Sequence, residues 1–235
     1  MSFSFFQNIF KGMSHILYPH VCIGCKIPLP FNHSCICPSC LSAMPKLSWW
    51  MGGENEVEPV FWGRVNLDAA ISLWYYRKGE LAAKIIHDIK YRGNTQLGIE
   101  AGIILGENLK AKIDTKLFTA IVPVPLHPKK FRKRGYNQSF YIAQGLSESL
   151  GIPVNNDILF RFVDSFSQTK KSRWERHKNM DGIFAHHLDA GSKANHYLLV
   201  DDVITTGSTV EACALALLKE PDSAVSIVSL AFAKI

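Results

Sequence analysis

The spacing of hydrophobic positions changes along this chain, and the changes divide it. Near the N-terminus Phe6, Ile9, Phe10, Met13, Ile16 and Leu17 recur every three or four residues, which predicts an amphipathic helix over residues 1–18. From about residue 67 the pattern alternates between short apolar runs and helical stripes. Leu67–Tyr76 reads as a strand. Glu80–Tyr91 follows as a helix with Leu81, Ile85, Ile86 and Ile89 on one face, stopped at Arg92-Gly93-Asn94. Leu97–Ile113 reads as a second helix and Phe118–Pro125 as a short buried strand. Tyr136–Leu150 is a helix ending at Gly151, with Pro153 just beyond. The apolar run in Asn195–Val203 suits a central parallel strand, Ser208–Leu218 a helix, and Ala224–Phe232 a last strand. This alternation predicts an α/β domain with a mostly parallel sheet flanked by helices, over residues 67–235.

Between these regions the periodicity fails. Residues 19–45 hold five of the six cysteines, and residues 46–66 read as an irregular boundary with Gly52, Gly53 and Pro59. No early positive charge precedes a clean apolar core, since Lys11 falls inside the run and Gln7, Asn8 and Ser14 interrupt it. That argues against a secretory signal, and no apolar stretch reaches the length of a membrane span. A cysteine cluster without a signal reads as a metal site in a reducing compartment, so a cytoplasmic protein without a transmembrane segment is expected. Apolar residues make up 47% of the 235-residue chain, enough for a real core. The formal net charge is +6 and the pI about 9.0, which suits an anionic partner without choosing among phosphorylated small molecules, nucleic acid and acidic membranes.

The most informative stretch is Tyr197–Thr209, YLLVDDVITTGST. An apolar strand delivers two carboxylates, then a hydroxyl- and glycine-rich loop, then a helix. In open α/β sheets, ligands bind at the carboxyl ends of strands. Gly207 lets the backbone turn against a ligand, and free N–H groups at the start of the following helix favour an anion. Thr205, Thr206, Ser208 and Thr209 add hydroxyls for phosphate oxygens. Asp201 and Asp202 carry the wrong charge for phosphate and suit a neighbouring diol, or a Mg²⁺ that such a diol helps to ligate. Phosphate on the loop and vicinal hydroxyls on the acids describe a 5-phosphoribose pocket. No Walker-type G-x-x-x-x-G-K-[ST] occurs in this stretch.

Two basic segments precede this site. His127–Arg134 is basic at five of the six positions from Lys129 to Arg134, and reads as a loop able to hold pyrophosphate through Arg132 and Arg134. Gln168–Phe184 carries Lys170, Lys171, Arg173, Arg176 and Lys178, and reads as a mobile loop that closes over an anion. Phe131, Tyr136 and Trp174 lie among these cations, so single-stranded nucleic acid is also open as a ligand.

Cys22-Ile-Gly-Cys25 and Cys37-Pro-Ser-Cys40 are two C-x-x-C knuckles separated by eleven residues, a spacing that can set four thiolates around one structural Zn²⁺. Cys35 and His33 are spare, but only Cys37 gives the knuckle spacing to Cys40. Cys213 reads as a core residue.

The stretch from Asp201 to Thr209 resembles the motif by which type I phosphoribosyltransferases bind 5-phosphoribosyl 1-pyrophosphate (PRPP). That resemblance puts the ribose 2′- and 3′-hydroxyls on Asp201 and Asp202 and the 5′-phosphate on Thr205–Thr209. Members that salvage 6-oxopurines usually have an acid where this chain has Thr205, so the resemblance leaves no general base in the loop. Taken in order, the four-cysteine knuckle, Lys90-Tyr91-Arg92-Gly93, Val122-Pro123-Val124-Pro125, Arg134-Gly135-Tyr136-Asn137-Gln138 and the Gln168…Arg173…Arg176…Asn179 pattern resemble the ComF family of bacteria. The resemblance runs from about Pro19 to the end. It implies a type I phosphoribosyltransferase-like core and a link to natural competence and the use of external DNA. Lys90, Arg132, Arg134 and Arg173 are then the expected pyrophosphate-side cations. Two functions follow. One is transfer of the 5-phosphoribosyl group from PRPP, with Mg²⁺, to an unknown acceptor. The other is a non-catalytic module that binds single-stranded DNA, or a helicase-like competence partner through the zinc knuckle.

Overall fold

A computed structural model describes residues 21–30, 34–161, 184–186 and 195–234. The chain divides into two compact units, Met1–Met44 and Pro45–Ile235. The expected N-terminal helix and most of the Gln168–Phe184 segment, Arg173 included, lie outside the described residues.

In the first unit a tight turn at Cys22–Lys26 closes with the N–H of Lys26 donating to the carbonyl of Cys22. Helix α1 (Pro38–Ser42) starts with Pro38 at its first position, and Cys37 Sγ accepts the N–H of Cys40 at 3.4 Å. These two turns bring their cysteines together.

The second unit is built on a four-stranded parallel sheet in the order β1 (Ala69–Tyr75), β6 (Ala224–Phe232), β5 (His196–Ile204), β2 (Ala120–Pro123). The central strands β5 and β6 are buried along most of their length, as expected where helices cover both faces. Connections run through α2 (Leu81–Tyr91) and α3 (Thr95–Lys110) between β1 and β2. From β2 the chain passes through α4 (Pro128–Arg134) and α5 (Gln138–Leu150), and α6 (Ser208–Leu217) joins β5 to β6. Helices α3 and α5 lie backbone to backbone. A Cβ at Gly102 would sit 2.1 Å from the carbonyl oxygen of Ile142, and one at Gly145 would sit 1.9 Å from that of Ile99. No larger residue allows this approach.

Three local features differ from the sequence expectation. The basic segment His127–Arg134 is a helix rather than a loop. Pro128 occupies its first position, His127 Nδ1 accepts the N–H of Lys129 at 3.1 Å, and Gly135 ends it in the left-handed region at φ 83°. A short antiparallel pair, β3 (Leu159–Arg161) with β4 (Phe184–His186), had no counterpart in the reading, and Phe184 opens β4 rather than ending a loop. Residues 46–66, expected as an irregular boundary, form two short 3-10 turns (Ser48–Met51 and Glu58–Val60) and contribute to the core: Leu47, Val57 and Phe61 are buried with the β2, β5 and α6 side chains. Among the described residues no helix is long and apolar enough to cross a membrane.

Candidate functional site: an acid pair and phosphate-type loop beneath a basic helix

The carboxyl ends of β2 and β5, the last turn of α2 and one side of α4 surround a cavity of about 630 Å³. Asp201, Asp202, Thr205 and Thr209 line it from the β5 side. Lys90 and Tyr91 line it from α2, and Lys130, Lys133 and Arg134 from α4. The cavity therefore gathers Asp201, Asp202, Thr205, Thr209, Lys90 and Arg134 from the residues singled out in the sequence. Thr206, Gly207 and Ser208 stand in the same loop, off the cavity wall. Arg132 is exposed on α4 and does not line it.

The acid pair is tightly partnered. Lys90 Nζ lies 2.6 Å from Asp202 Oδ1, and the Asp202 side chain is only 3% exposed. Asp202 Oδ2 is buried with no hydrogen-bond partner among the described residues. Asp201 Oδ1 accepts the hydroxyl of Ser139 at 3.1 Å and the N–H of Asp202 at 2.9 Å. Burial, followed by repulsion from Asp202, pushes the Asp201 carboxyl up to about 7, although the Asp202 N–H, Lys90 and Ser139 all pull it down.

The loop after β5 is shaped by groups outside it. Gly207 takes φ 74° and caps α6. A Cβ there would come within 2.8 Å of the Phe61 ring, so the turn is seated on the 46–66 segment. Arg64 Nη1 donates to the carbonyl of Thr206 at 2.9 Å and to that of Val60 at 2.9 Å, while its Nη2 pairs with Glu211 in the first turn of α6. Arg64 was not singled out in the sequence. No local motif marks it, because its partners are 142 and 147 positions away.

The far wall is cationic. Arg134 is held by Gln138 Oε1, and its guanidinium lies 5.4 Å from the centre of the Tyr91 ring. Tyr136 donates its hydroxyl to the carbonyl of Ile89, tying α2 to the start of α5. His127, which opens the basic segment, and Arg161, unread in the sequence, also line the cavity. Desolvation and then the charges of Arg161 and the α4 cations hold His127 below its ordinary value. With Nδ1 accepting from Lys129, its neutral form presents Nε2–H as a donor.

In the first unit the ligand atoms of Cys22, Cys25, Cys37 and Cys40 all lie within 4.8 Å of one another, with Cys25 and Cys37 sulfurs 3.7 Å apart. Cys35 is buried outside this group. Burial raises the Cys22 thiol, but N–H groups of Cys37, Cys25 and Gly24 outweigh it and bring it down to about 6. Cys40 is pushed up to about 12, first by hydrogen bonding with Cys37 and Cys25. Four sulfurs packed this closely cannot all ionise without a cation among them.

A parallel sheet whose β5 delivers an Asp-Asp pair and a Thr-Thr-Gly-Ser-Thr turn into a helix N-terminus defines the type I phosphoribosyltransferase-like class, here joined to a four-cysteine cluster. No protein-family model matches the chain. Competence protein F of Haemophilus influenzae is 36% identical over 205 residues, covering 85% of this chain and 85% of that protein. DNA utilization protein YhgH of Salmonella typhi is 28% identical over 225 residues, covering 89% of this chain and 95% of that protein. The chain belongs to the ComF family. Among solved structures, glutamine PRPP amidotransferase from B. subtilis, complexed with ADP and GMP, is similar at 17% identity and a TM-score of 0.39. The match covers 60% of this chain and 30% of that one. The strand order and the β5 loop define the fold.

Proposed function

We propose that the cavity binds PRPP and that the protein transfers its 5-phosphoribosyl group to an acceptor, releasing pyrophosphate. The observation that carries this reading is the junction at the end of β5, where Asp202, with its unpartnered carboxylate oxygen, Thr205 and Thr209 line one cavity with five cations. The ribose hydroxyls donate to Asp201 and Asp202. The 5′-phosphate takes the N–H groups and hydroxyls of Thr205–Thr209, favoured by the N-terminus of α6. Pyrophosphate faces Lys130, Lys133 and Arg134, with Arg132 behind them and Arg173 as a further cation. In the transfer step a nucleophile forms a bond to the anomeric carbon as its bond to pyrophosphate breaks, and the leaving oxygen keeps the electron pair. The cations stabilise that growing charge. Mg²⁺ would arrive on the pyrophosphate, whose oxygens suit it better than an acid pair already engaged by Lys90, Ser139 and a backbone N–H.

The four-cysteine cluster fits a structural Zn²⁺. Four thiolates at about 2.3 Å from a tetrahedral Zn²⁺ stand roughly 3.8 Å apart, near the 3.7 Å between Cys25 and Cys37. Cys22, Cys25, Cys37 and Cys40 would hold it and leave no open position. Thiols in this arrangement favour a reducing compartment, hence the cytoplasm.

A second reading rests on α4. Lys129, Lys130, Arg132 and Lys133 form no ion pair among the described residues, and Phe131 between them is 48% exposed. That surface suits the phosphates and bases of single-stranded DNA, and the likeness to a competence protein and a DNA utilization protein favours a role in competence, with or without a helicase-like partner. The two readings separate by assay. Transfer predicts pyrophosphate release from PRPP with some member of a panel of amine and heterocyclic acceptors. PRPP binding without release across the panel would leave a sensor. Salt-sensitive binding to single strands, lost on neutralising α4, would mark the second reading.

A further inference from the structure

The cation at the acid pair comes from the protein itself. Lys90 reaches Asp202 Oδ1 at 2.6 Å from the last turn of α2, and its side chain is 20% exposed, so it is committed to this position rather than waving in solvent. Asp201 Oδ1 is occupied by two donors, Ser139 and the Asp202 N–H. Of the oxygens that a divalent ion would share between the two side chains, one on each is thus already taken. Asp202 Oδ2 remains, buried and unpartnered among the described residues, in a residue that lines the cavity. A buried carboxylate oxygen without a donor is costly, and a ligand hydroxyl relieves that cost by donating to it. A divalent ion at the same oxygen would stand beside the Lys90 ammonium and be repelled by it. Mg²⁺ also demands a near-octahedral shell, which the second oxygens of the two carboxylates, beside an ammonium, fall well short of supplying.

We propose that Lys90 is the resident cation of the Asp201–Asp202 pair, and that the vicinal hydroxyls of a 5-phosphoribosyl ligand are recognised there without a divalent metal ion. The inference rests on the phosphoribosyl reading above and adds a division of labour to it. The sugar end of the ligand is served by Lys90, and any divalent requirement belongs to the pyrophosphate end alone. Lys90 is thereby a positioning residue for the ribose rather than a pyrophosphate ligand. Its removal leaves an acid pair that does need an outside cation.

Ribose 5-phosphate is the discriminating probe, because it carries the diol and the 5′-phosphate but no pyrophosphate. The experiment is calorimetric titration of the full zinc-loaded chain with ribose 5-phosphate, in buffer passed over a chelating resin and again with excess Mg²⁺. PRPP is run beside it. The expected result is a ribose 5-phosphate affinity equal in the two buffers to within about twofold, well under the tenfold step that ~1.4 kcal/mol represents. Lys90→Met should then bind it at least about tenfold more weakly without Mg²⁺ and regain affinity when Mg²⁺ is added. Wild-type binding of ribose 5-phosphate that requires Mg²⁺ would overturn the inference while leaving the phosphoribosyl reading intact, provided PRPP binds. So would Lys90→Met binding as the wild type does in metal-free buffer. If neither ligand binds in either buffer, the phosphoribosyl reading falls and the inference falls with it. Should Lys90→Met not fold, the two wild-type titrations decide the matter alone.

Discussion

The four-cysteine cluster and the Asp201–Asp202 pair both crowd acidic groups, and they relieve the crowding in opposite ways. Around Cys22, Cys25, Cys37 and Cys40 the help comes from backbone N–H groups, among them Cys37 N–H to Cys22 Sγ at 3.3 Å, and no lysine or arginine pairs with the sulfurs among the described residues. At the end of β5 the help is a full charge, Lys90, set 2.6 Å from Asp202. On the structural-zinc reading proposed above, the first arrangement is completed by an ion from outside. The second carries its own cation and keeps the buried Oδ2 of Asp202 for a ligand. Clustered acidic residues therefore do not by themselves indicate a metal site; what decides is whether the protein has already neutralised them.

The largest effect should come from the side that depends on an outside ion. Replacing Cys22 and Cys25 by Ser should release Zn²⁺ and unfold the first unit, since structural zinc contributes about 10–16 kcal/mol in small zinc domains. Metal analysis of the purified variant checks this, and unchanged zinc content would show that other ligands hold the ion. On the other side, Lys90→Met should cost about 3 kcal/mol in denaturant unfolding, because it strands a buried carboxylate. Adding Asp202→Asn should recover most of that loss; no recovery would mean that Lys90 matters for packing rather than charge. Arg64→Ala should be milder, about 1 kcal/mol in phosphate-ligand affinity, because the pair with Glu211 is partly exposed while the bonds to the Thr206 and Val60 carbonyls are lost. The smallest signal is a proton. Asp201 is raised from 3.8 to about 7 in the folded chain, so the fold holds a proton there that the unfolded chain has released. Its contribution to stability is present below the unfolded value and is lost as pH rises through about 7. A ligand whose hydroxyls donate to Asp201 prefers the ionised form. Binding near about pH 6 should thus release up to one proton, read as a heat that depends on the buffer's ionisation enthalpy. Identical heats in two such buffers would refute the coupling.

The hydrophobic pattern made most of the fold legible. Strands β1, β2, β5 and β6 and helices α2, α3, α5 and α6 all fall within a few residues of their expected ranges, because each has one strong period and a clear stop such as Gly93 or Gly151. Helix α4 was hidden because its run of cations carries no apolar stripe. Its real signals were Pro128 at the start and Gly135 at the end, which speak of backbone rather than charge. The pair β3–β4 is three residues a side, too short for alternation to register. In the cavity, Asp201, Asp202, Thr205 and Thr209 were legible because one strand and its turn carry them all. Arg161 was not, since the fold alone brings it to the wall, and Arg64, which holds the Thr206 carbonyl without lining the cavity, was no more visible. The direction in which Lys90 points was equally unreadable: a lysine in a basic neighbourhood suggests pyrophosphate, and only the packing of α2 beside β5 turns it to a carboxylate.

The central claim is that the end of β5 is a 5-phosphoribosyl site, and calorimetric titration of PRPP with Mg²⁺ into the wild type and into Asp201→Asn/Asp202→Asn tests it most directly. The account predicts saturable binding in the wild type and loss of at least about a hundredfold in the doubly substituted protein, whose amides accept the ribose hydroxyls without charge. Equal affinity in the two proteins, with both folded, would contradict it.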